Sequence, residues 1–396
     1  MRITLTTFLT LICLIAFSQT NEEINWIRGN SKEILLDDND YEKFGFLDSL
    51  LKNKRIVMLG ENTHGASEYY LLKNRIIQYL HNNLGYNILT WESSFMDCYA
   101  VQSLKTELSP EQMANGSLHF AYKSKQVLPI MTYVKNSDLI LTGMDSQPTV
   151  YSDATAKFLQ KNPCFQELSN DIYYLDSLAQ TPSEFMWKDK NRKELAEQYQ
   201  SILNKLKNAP CSHENLEIVE RGLKDRINDM VKRNKERDER MASNLMWLLY
   251  HKYPNEKFIV YAHNAHIDRQ NQKNSYANSK SMAEFLPDSV LDMSYTIGIF
   301  GYEGQARYNL GKDPIYDFKP HPELSLEHFL KQSGYNITFL DLENQKKINS
   351  NSFIFDKINT MYWGNIKDPK IVTEHYDGVI LVNKITPSTK LKKGAN

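Results

Sequence analysis

Seven short runs along the chain are apolar enough to be buried strands: Arg55–Gly60, Tyr86–Glu92, Leu139–Asp145, Lys257–Ala262, Tyr295–Phe300, Asn336–Leu340 and Gly378–Asn383. Short continuous apolar runs read as strands covered on both faces. After the first run, Tyr70, Leu71, Asn74, Ile77, Leu80 and Leu84 recur at the spacings of one helical face, predicting a helix over Ser67–Leu84. A second helical stretch spans about Pro110 to Asn136. Strand–helix alternation of this kind predicts an α/β fold: a largely parallel central sheet flanked by helices.

From about Tyr151 to Tyr253 the strand signal disappears. Ala154–Gln160, Lys188–Asn208 and Glu214–Tyr250 are charged and helical in pattern, punctuated by Pro163, Pro182, Pro210 and Pro254. Residues 151–253 are therefore expected as an α-helical insertion between two parts of one α/β core, residues 19–150 and 254–396.

The first eighteen residues stand apart. Arg2 gives a positive start, Ile3–Phe17 is an apolar run, and Ala16–Ser18 places small residues where a signal peptidase reads, with Gln19 as the mature start. The run is short for a bilayer span. Cys13 sits mid-run behind Ile12, which does not fit a lipoprotein site. Residues 1–18 are expected to be a cleaved signal peptide, making the protein exported, periplasmic or secreted, with no stable membrane anchor after cleavage.

Composition narrows the class. The 396 residues are 41% hydrophobic and 11% aromatic, enough for a sizeable core. With 47 basic and 48 acidic residues the charge nearly cancels, and no basic tract points to nucleic acid. Cleavage would leave Cys98, Cys164 and Cys211; their spacings match no metal knuckle, and either a Cys164–Cys211 bridge or three buried thiols is expected.

The candidate chemistry lies where polar residues meet strand ends. Glu61 follows the first strand, Glu92 ends the second, Asp145 the third, and His263 follows the fourth. Ligands of open parallel sheets bind at the carboxyl ends of strands. Within Gly60–Gly65, two glycines permit a sharp strand-to-helix turn that would aim Glu61 and His64 into one crevice. An imidazole base needs its second nitrogen oriented by an acceptor, and Glu61 or Glu92 could serve His64. Backbone N–H groups near Gly65 and Ala66 are candidate oxyanion donors.

His263–His266 offers two further imidazoles beside Asn264. Together with His64, Glu61 and Glu92 these could also form an N/O metal site, although no HExxH helix occurs. Arg237–Met241 is a charged run in which Asp238 and Arg240, two residues apart, do not share one helix face, so one of them is expected to point into the site while the other stays outside; Arg240 would suit a carbonyl or oxyanion. No Gly-x-Ser-x-Gly elbow, P-loop or dinucleotide fingerprint is present, so no serine nucleophile and no nucleotide cofactor is expected. The residues point to attack by an activated water.

Taken together, Gly60–Gly65, Glu92 thirty-one positions after Glu61, the run Arg237–Met241 and Ala262–His266 resemble the erythromycin esterase family. Gly301–Gly304 and Tyr376–Asp377 also look like family features, and the likeness runs from about Glu42 to Asn383. The resemblance implies an α/β core with helical insertions and hydrolysis of a small-molecule lactone or ester without a required metal or other cofactor. It implies that His64 activates water, that Glu61 and Glu92 orient it, and that His263 and His266 bind or polarise the carbonyl, with His263 a second candidate base. Arg240, Asn264 and Asp145 are the remaining candidates for substrate binding.

The export signal departs from the cytosolic macrolide-resistance members. Trp91, Tyr69, Tyr70 and Phe95 are candidates either for an apolar cleft or for core. Two other classes use the same residues: a metal-dependent hydrolase or transferase, and a non-catalytic binding protein.

Overall fold

The computed structural model describes residues 21–36, 41–149, 152–179, 188–206, 213–232, 236–273, 279–307, 314–348 and 352–391. The expected signal segment, 1–18, lies outside them, as does Cys211.

All seven predicted strands form. In chain order the strands are β1 (Ser31–Glu33), β2 (Ile56–Leu59), β3 (Ile88–Ser94), β4 (Ile140–Asp145), β5 (Phe258–Tyr261), β6 (Ser294–Arg307), β7 (Ile315–Phe318), β8 (Ile337–Asp341), β9 (Lys357–Tyr362), β10 (Ile366–Ile371) and β11 (Gly378–Ile385). The main sheet runs β1-β8-β11-β6-β2-β5-β3-β4, with β7 paired to β6; β9 and β10 form a separate hairpin. The six strands from β11 to β4 are mutually parallel. β8 joins β11 antiparallel, as do β1 to β8 and β7 to β6.

The sheet is buried on both faces, and the two-residue period of its strands sorts side chains between them. Val57, Leu59, Ile259, Tyr261, Leu89 and Trp91 pack in one apolar cluster; Ile56, Met58, Phe258, Val260 and Ile88 pack in the other. The helix Ser67–Leu84, which follows β2, contributes to the first cluster, while Ile267 and Val290, which follow β5, lie in the second. The chain therefore leaves β2 and β5 over opposite faces. That reversal makes the gap between their carboxyl ends a topological switch point, where open sheets place ligands.

Between β4 and β5 every described element is helical: Ala154–Lys161, Ser169–Ala179, Asp189–Leu206, His213–Lys232 and Arg237–Trp247, with short helical turns at Gln166–Leu168 and Leu248–Lys252. A buried polar network ties this segment to the sheet. Arg226 donates to Asp176 at 3.2 and 3.3 Å, to Asp97 at 3.2 Å and to Ser94 at 3.1 Å, and Tyr199 donates to Asp176 at 2.7 Å. Ser94, two residues beyond Glu92, also caps the helix Phe95–Ser103. Cys164 of this segment is disulfide-bonded, and among the described residues Cys98 is a free, buried thiol.

One local expectation changes, and the alternative left open for four aromatics resolves to core. Leu71, placed on the buried face of Ser67–Leu84, is exposed, whereas Tyr69, Leu72, Lys73 and Ile76 are buried. Trp91, Tyr69, Tyr70 and Phe95 are core, with Trp91 stacked on Tyr261 at 4.0 Å. No described helix is long and apolar enough to cross a membrane.

Candidate active site

The switch point is held shut at the backbone. Ala262 N–H donates to Leu59 O at 3.2 Å and Asn264 N–H to Glu61 O at 2.8 Å, fixing the loops after β2 and β5 side by side. Asn264 adds a clamp to β6, donating to Ile299 O at 3.0 Å and accepting from Ile299 N at 3.3 Å. Neither Gly60 nor Gly65 has a positive φ. The reason for glycine is close approach instead. A Cβ on Gly60 would sit 1.9 Å from Asn264 Oδ1, and one on Gly65 would sit 1.7 Å from Arg307 O.

The loop after β2 delivers Glu61 and His64 together. His64 Nδ1 lies 3.1 Å from Glu61 Oε1. The buried carboxylate accepts, so Nδ1 carries the proton and Nε2 keeps its lone pair. Burial pulls the imidazole down to about 4, partly opposed by the Glu92 carboxylate, so His64 is neutral at neutral pH. The other oxygen of Glu61 meets Lys73 Nζ, a lysine with no solvent exposure that rises from the helix Ser67–Leu84. Its ammonium lies 3.7 Å from the centre of the Tyr261 ring and 3.3 Å from Ala262 O.

His263 carries the opposite tautomer. Its Nδ1 accepts from Ala265 N at 3.1 Å, capping the short helix Asn264–Ile267, so the proton resides on Nε2. That Nε2 is buried without a well-formed hydrogen bond, although the Asn62 backbone acts on the ring. Burial, then the neighbouring His64, hold His263 well below the usual range. The two rings stand 4.9 Å apart. Trp363, on the β9–β10 turn, stacks on His263 at 4.2 Å and meets His64 edge-on at 5.7 Å. Its φ of 51° is unusual for a bulky residue, and strain of this kind concentrates at functional sites.

Glu92 does not reach His64 by a hydrogen bond; it organises the opposite wall. It accepts from His263 N at 2.8 Å, Tyr122 OH at 2.7 Å and Arg237 Nη2 at 2.9 Å, and pairs with His266 Nε2 at 3.1 Å. Burial alone would raise its carboxyl, but His266, Arg237 and His64 outweigh that and hold it well below the ordinary value. His266 is clamped on both nitrogens, with Asp238 at 2.6 Å from Nδ1. Burial opposes charging, yet Asp238 and Glu92 lift its pKa to about 10, making it a fixed cation.

The structure distributes the expected substrate residues differently. Asp145 is fully buried and holds Arg237 through three contacts of 2.6–3.1 Å. Arg240 turns to Asp225 at 3.0 Å rather than into the crevice. Arg237, three residues earlier, is the arginine that faces Glu92. Ser67 N–H donates to Thr386 O and Gly65 O accepts from Ser388 N, so the C-terminal segment covers the helix start expected to supply oxyanion donors.

Sequence reasoning missed Lys73, His119, Tyr122, Asp238 as the partner of His266, and Trp363. His119 has a buried Nδ1 with no hydrogen bond, and burial followed by Arg237 pushes it down to about 3. Arg237 and Asp238 were legible as part of the charged run; the others lie in segments with no motif. Behind His263, a crevice is lined by Asn62, Asp268, Thr360, Trp363 and Lys370. There Asp268 is paired with Lys370 at 3.0 Å and with His375 at 2.5 Å. Among the described residues no group of three His, Cys, Asp or Glu is arranged to hold a metal ion.

Two neutral imidazoles of opposite tautomer, side by side over one crevice, offer a proton acceptor and a proton donor within one site. Comparison with known proteins adds a lineage to that arrangement. The family model described as "Erythromycin esterase" matches residues 81–385, a span that includes Glu92 and His263–His266 and begins after Glu61 and His64. The chain is 29% identical to "Putative hydrolase YbfO" of Bacillus subtilis (strain 168), over 93% of this chain and 92% of that protein. A succinoglycan biosynthesis protein superposes with a TM-score of 0.75 at 18% identity, covering 94% of this chain and 99% of the other. A mutant of the erythromycin esterase EreC in its open conformation superposes with a TM-score of 0.63 at 16% identity, covering 92% and 99%. At these identities the two structures establish a shared fold.

Proposed function

The chain belongs to the erythromycin esterase family, a family of hydrolases, and from that premise we propose that it cleaves a carboxylic ester or lactone with water activated by His64. The observation that carries this reading is the pair of tautomers. Glu61 fixes the His64 proton on Nδ1, leaving Nε2 free to accept, while His263 keeps its proton on Nε2.

In the proposed reaction a water gives one proton to His64 Nε2 as its oxygen bonds to the substrate carbonyl carbon. The carbonyl electron pair moves to oxygen, and His263 Nε2–H donates to that oxyanion. The tetrahedral adduct collapses, the bond to the leaving oxygen breaks, and that oxygen takes the proton from His64. Glu61 accepts from Nδ1–H throughout and so keeps the ring oriented toward the water. General-base assistance of this kind contributes about 10²–10⁴ in rate. Glu92, itself held by His266 and Arg237, accepts from the His263 backbone N–H and so holds that residue in place.

The apolar run Ile3–Phe17 supports export as part of the same proposal. An exported enzyme meets lactones, acyl sugars or aryl esters outside the cell. The test is a panel of such substrates, macrolides included, against the purified mature protein and His263→Gln. Turnover of at least one lactone or ester, reduced in His263→Gln mainly through kcat, supports the assignment. No turnover of any ester or lactone by the wild type refutes it.

A further inference from the structure

A fully buried lysine is costly unless something nearby needs its charge, because desolvation of an ammonium must be offset by specific partners. Lys73 has no solvent exposure and reaches the site through its contact with Glu61. Its partners are the second oxygen of Glu61, the face of the Tyr261 ring and Ala262 O, all within the strand ends that build the crevice. The ring contact favours the cationic form. Burial acts the other way and pulls the lysine well below its ordinary value, with the Glu92 carboxylate opposing.

We propose that Lys73 is a positioning residue that pins Glu61 against His64 and neutralises it, so that His64 remains a base instead of becoming the counter-ion of Glu61. The inference deepens the hydrolytic reading and rests on it for its meaning. Two groups compete for one buried carboxylate. With Lys73 present, the Glu61–Lys73 pair is net neutral wherever its shared proton resides, and His64 gains little by protonation. Without Lys73, Glu61 is an uncompensated buried anion at 3.1 Å from Nδ1, and among the described residues His64 is the hydrogen-bonded side chain left to balance it.

The remaining groups around the imidazole are Glu92 on β3, His119 and the ring of Tyr122 from the segment before the helix Leu128–Asn136, His263 and His266 after β5, Arg237 from the helical segment, and the ring of Trp363; burial keeps His119 neutral. Among these, Glu92 already has Arg237 and His266 as partners, so it does not take over the role of Lys73.

The test reads the titration of His64 by NMR, assigned among the ten histidines with His64→Asn, in wild type, Lys73→Met and Lys73→Gln. Both single variants should raise the His64 titration by about one pH unit or more, a shift of tenfold or more in proton affinity. The acid limb of kcat/KM should move up by the same amount. In Glu61→Gln/Lys73→Met, which removes both charges, His64 should titrate as in the wild type. Should neither single variant fold, the double variant still should, with His64 at its wild-type value. An unmoved His64 in a folded single variant overturns the proposal, as does a double variant that is unfolded or shifted. Because the NMR titration needs no substrate, a wild type inactive on every lactone would refute the hydrolytic reading while leaving this one standing.

Discussion

Replacing His266 by Gln should expose how strongly the wall of the site depends on one fixed cation. In the folded protein Asp238 at 2.6 Å and Glu92 at 3.1 Å lift His266 from 6.5 to about 10 despite burial. The folded state therefore binds this proton more tightly than the unfolded chain, and the stabilisation is complete below about pH 6.5. It declines as pH rises and vanishes above about 10. At 1.36 kcal/mol per pKa unit, the shift corresponds to on the order of 5 kcal/mol at pH 6 and about 1.4 kcal/mol at pH 9. Urea unfolding of wild type and His266→Gln at pH 6, 7, 8 and 9 should show a stability gap that narrows by about 3 kcal/mol across the range. NMR should find His266 still protonated at pH 8. A gap that stays constant with pH, or a His266 that loses its proton near pH 6.5, would refute the reasoning.

Other perturbations separate scaffold from chemistry. Arg226→Met strands Asp97 and Asp176 inside the protein, and breaking a buried pair from one side costs about 3–5 kcal/mol, measurable by urea unfolding. Gly60→Ala should push the Asn264 side chain out of its clamp on Ile299, lowering both kcat and stability, whereas Gly29→Ala, which meets nothing, should change neither. Prolonged chelation followed by metal analysis should leave ester turnover unchanged; proportional loss of metal and rate would favour a metal-dependent mechanism.

Seven of the nine described strands of the central sheet were legible because each is a short apolar run buried on both faces, and that burial is a property of local sequence; β1 and β7 carry no such run. β9 and β10 were not legible. β9 interrupts its apolar positions with Asn359 and Thr360, and β10 is mostly polar with Pro369 inside Ile366–Ile371, so neither forms a continuous apolar run. The antiparallel entry of β8 was equally hidden, since direction is set by where connections pass and not by strand composition. Within the site, Glu61, His64, Glu92 and His263 were visible because strand ends in a parallel sheet converge. Their hydrogen-bond roles were not, and the structure separates them: Glu61 rather than Glu92 orients His64. Lys73 and Trp363 were invisible for a shared reason. One sits among the apolar residues of a helix face and the other on a hairpin turn three hundred residues from His64, and only the folded chain brings either to the imidazoles. Asp145 and Arg240 carried the right charge for substrate binding, but each finds its partner within the protein.

The most direct measurement is kcat/KM of His64→Asn on a lactone or aryl ester that the wild type hydrolyses, with circular dichroism to confirm the fold. Asparagine keeps a donor for Glu61 but has no basic nitrogen at the position of Nε2. The expected result is a loss of at least about 10² in kcat/KM with an unchanged spectrum. A folded His64→Asn that keeps most of its activity would show that water is not activated by His64.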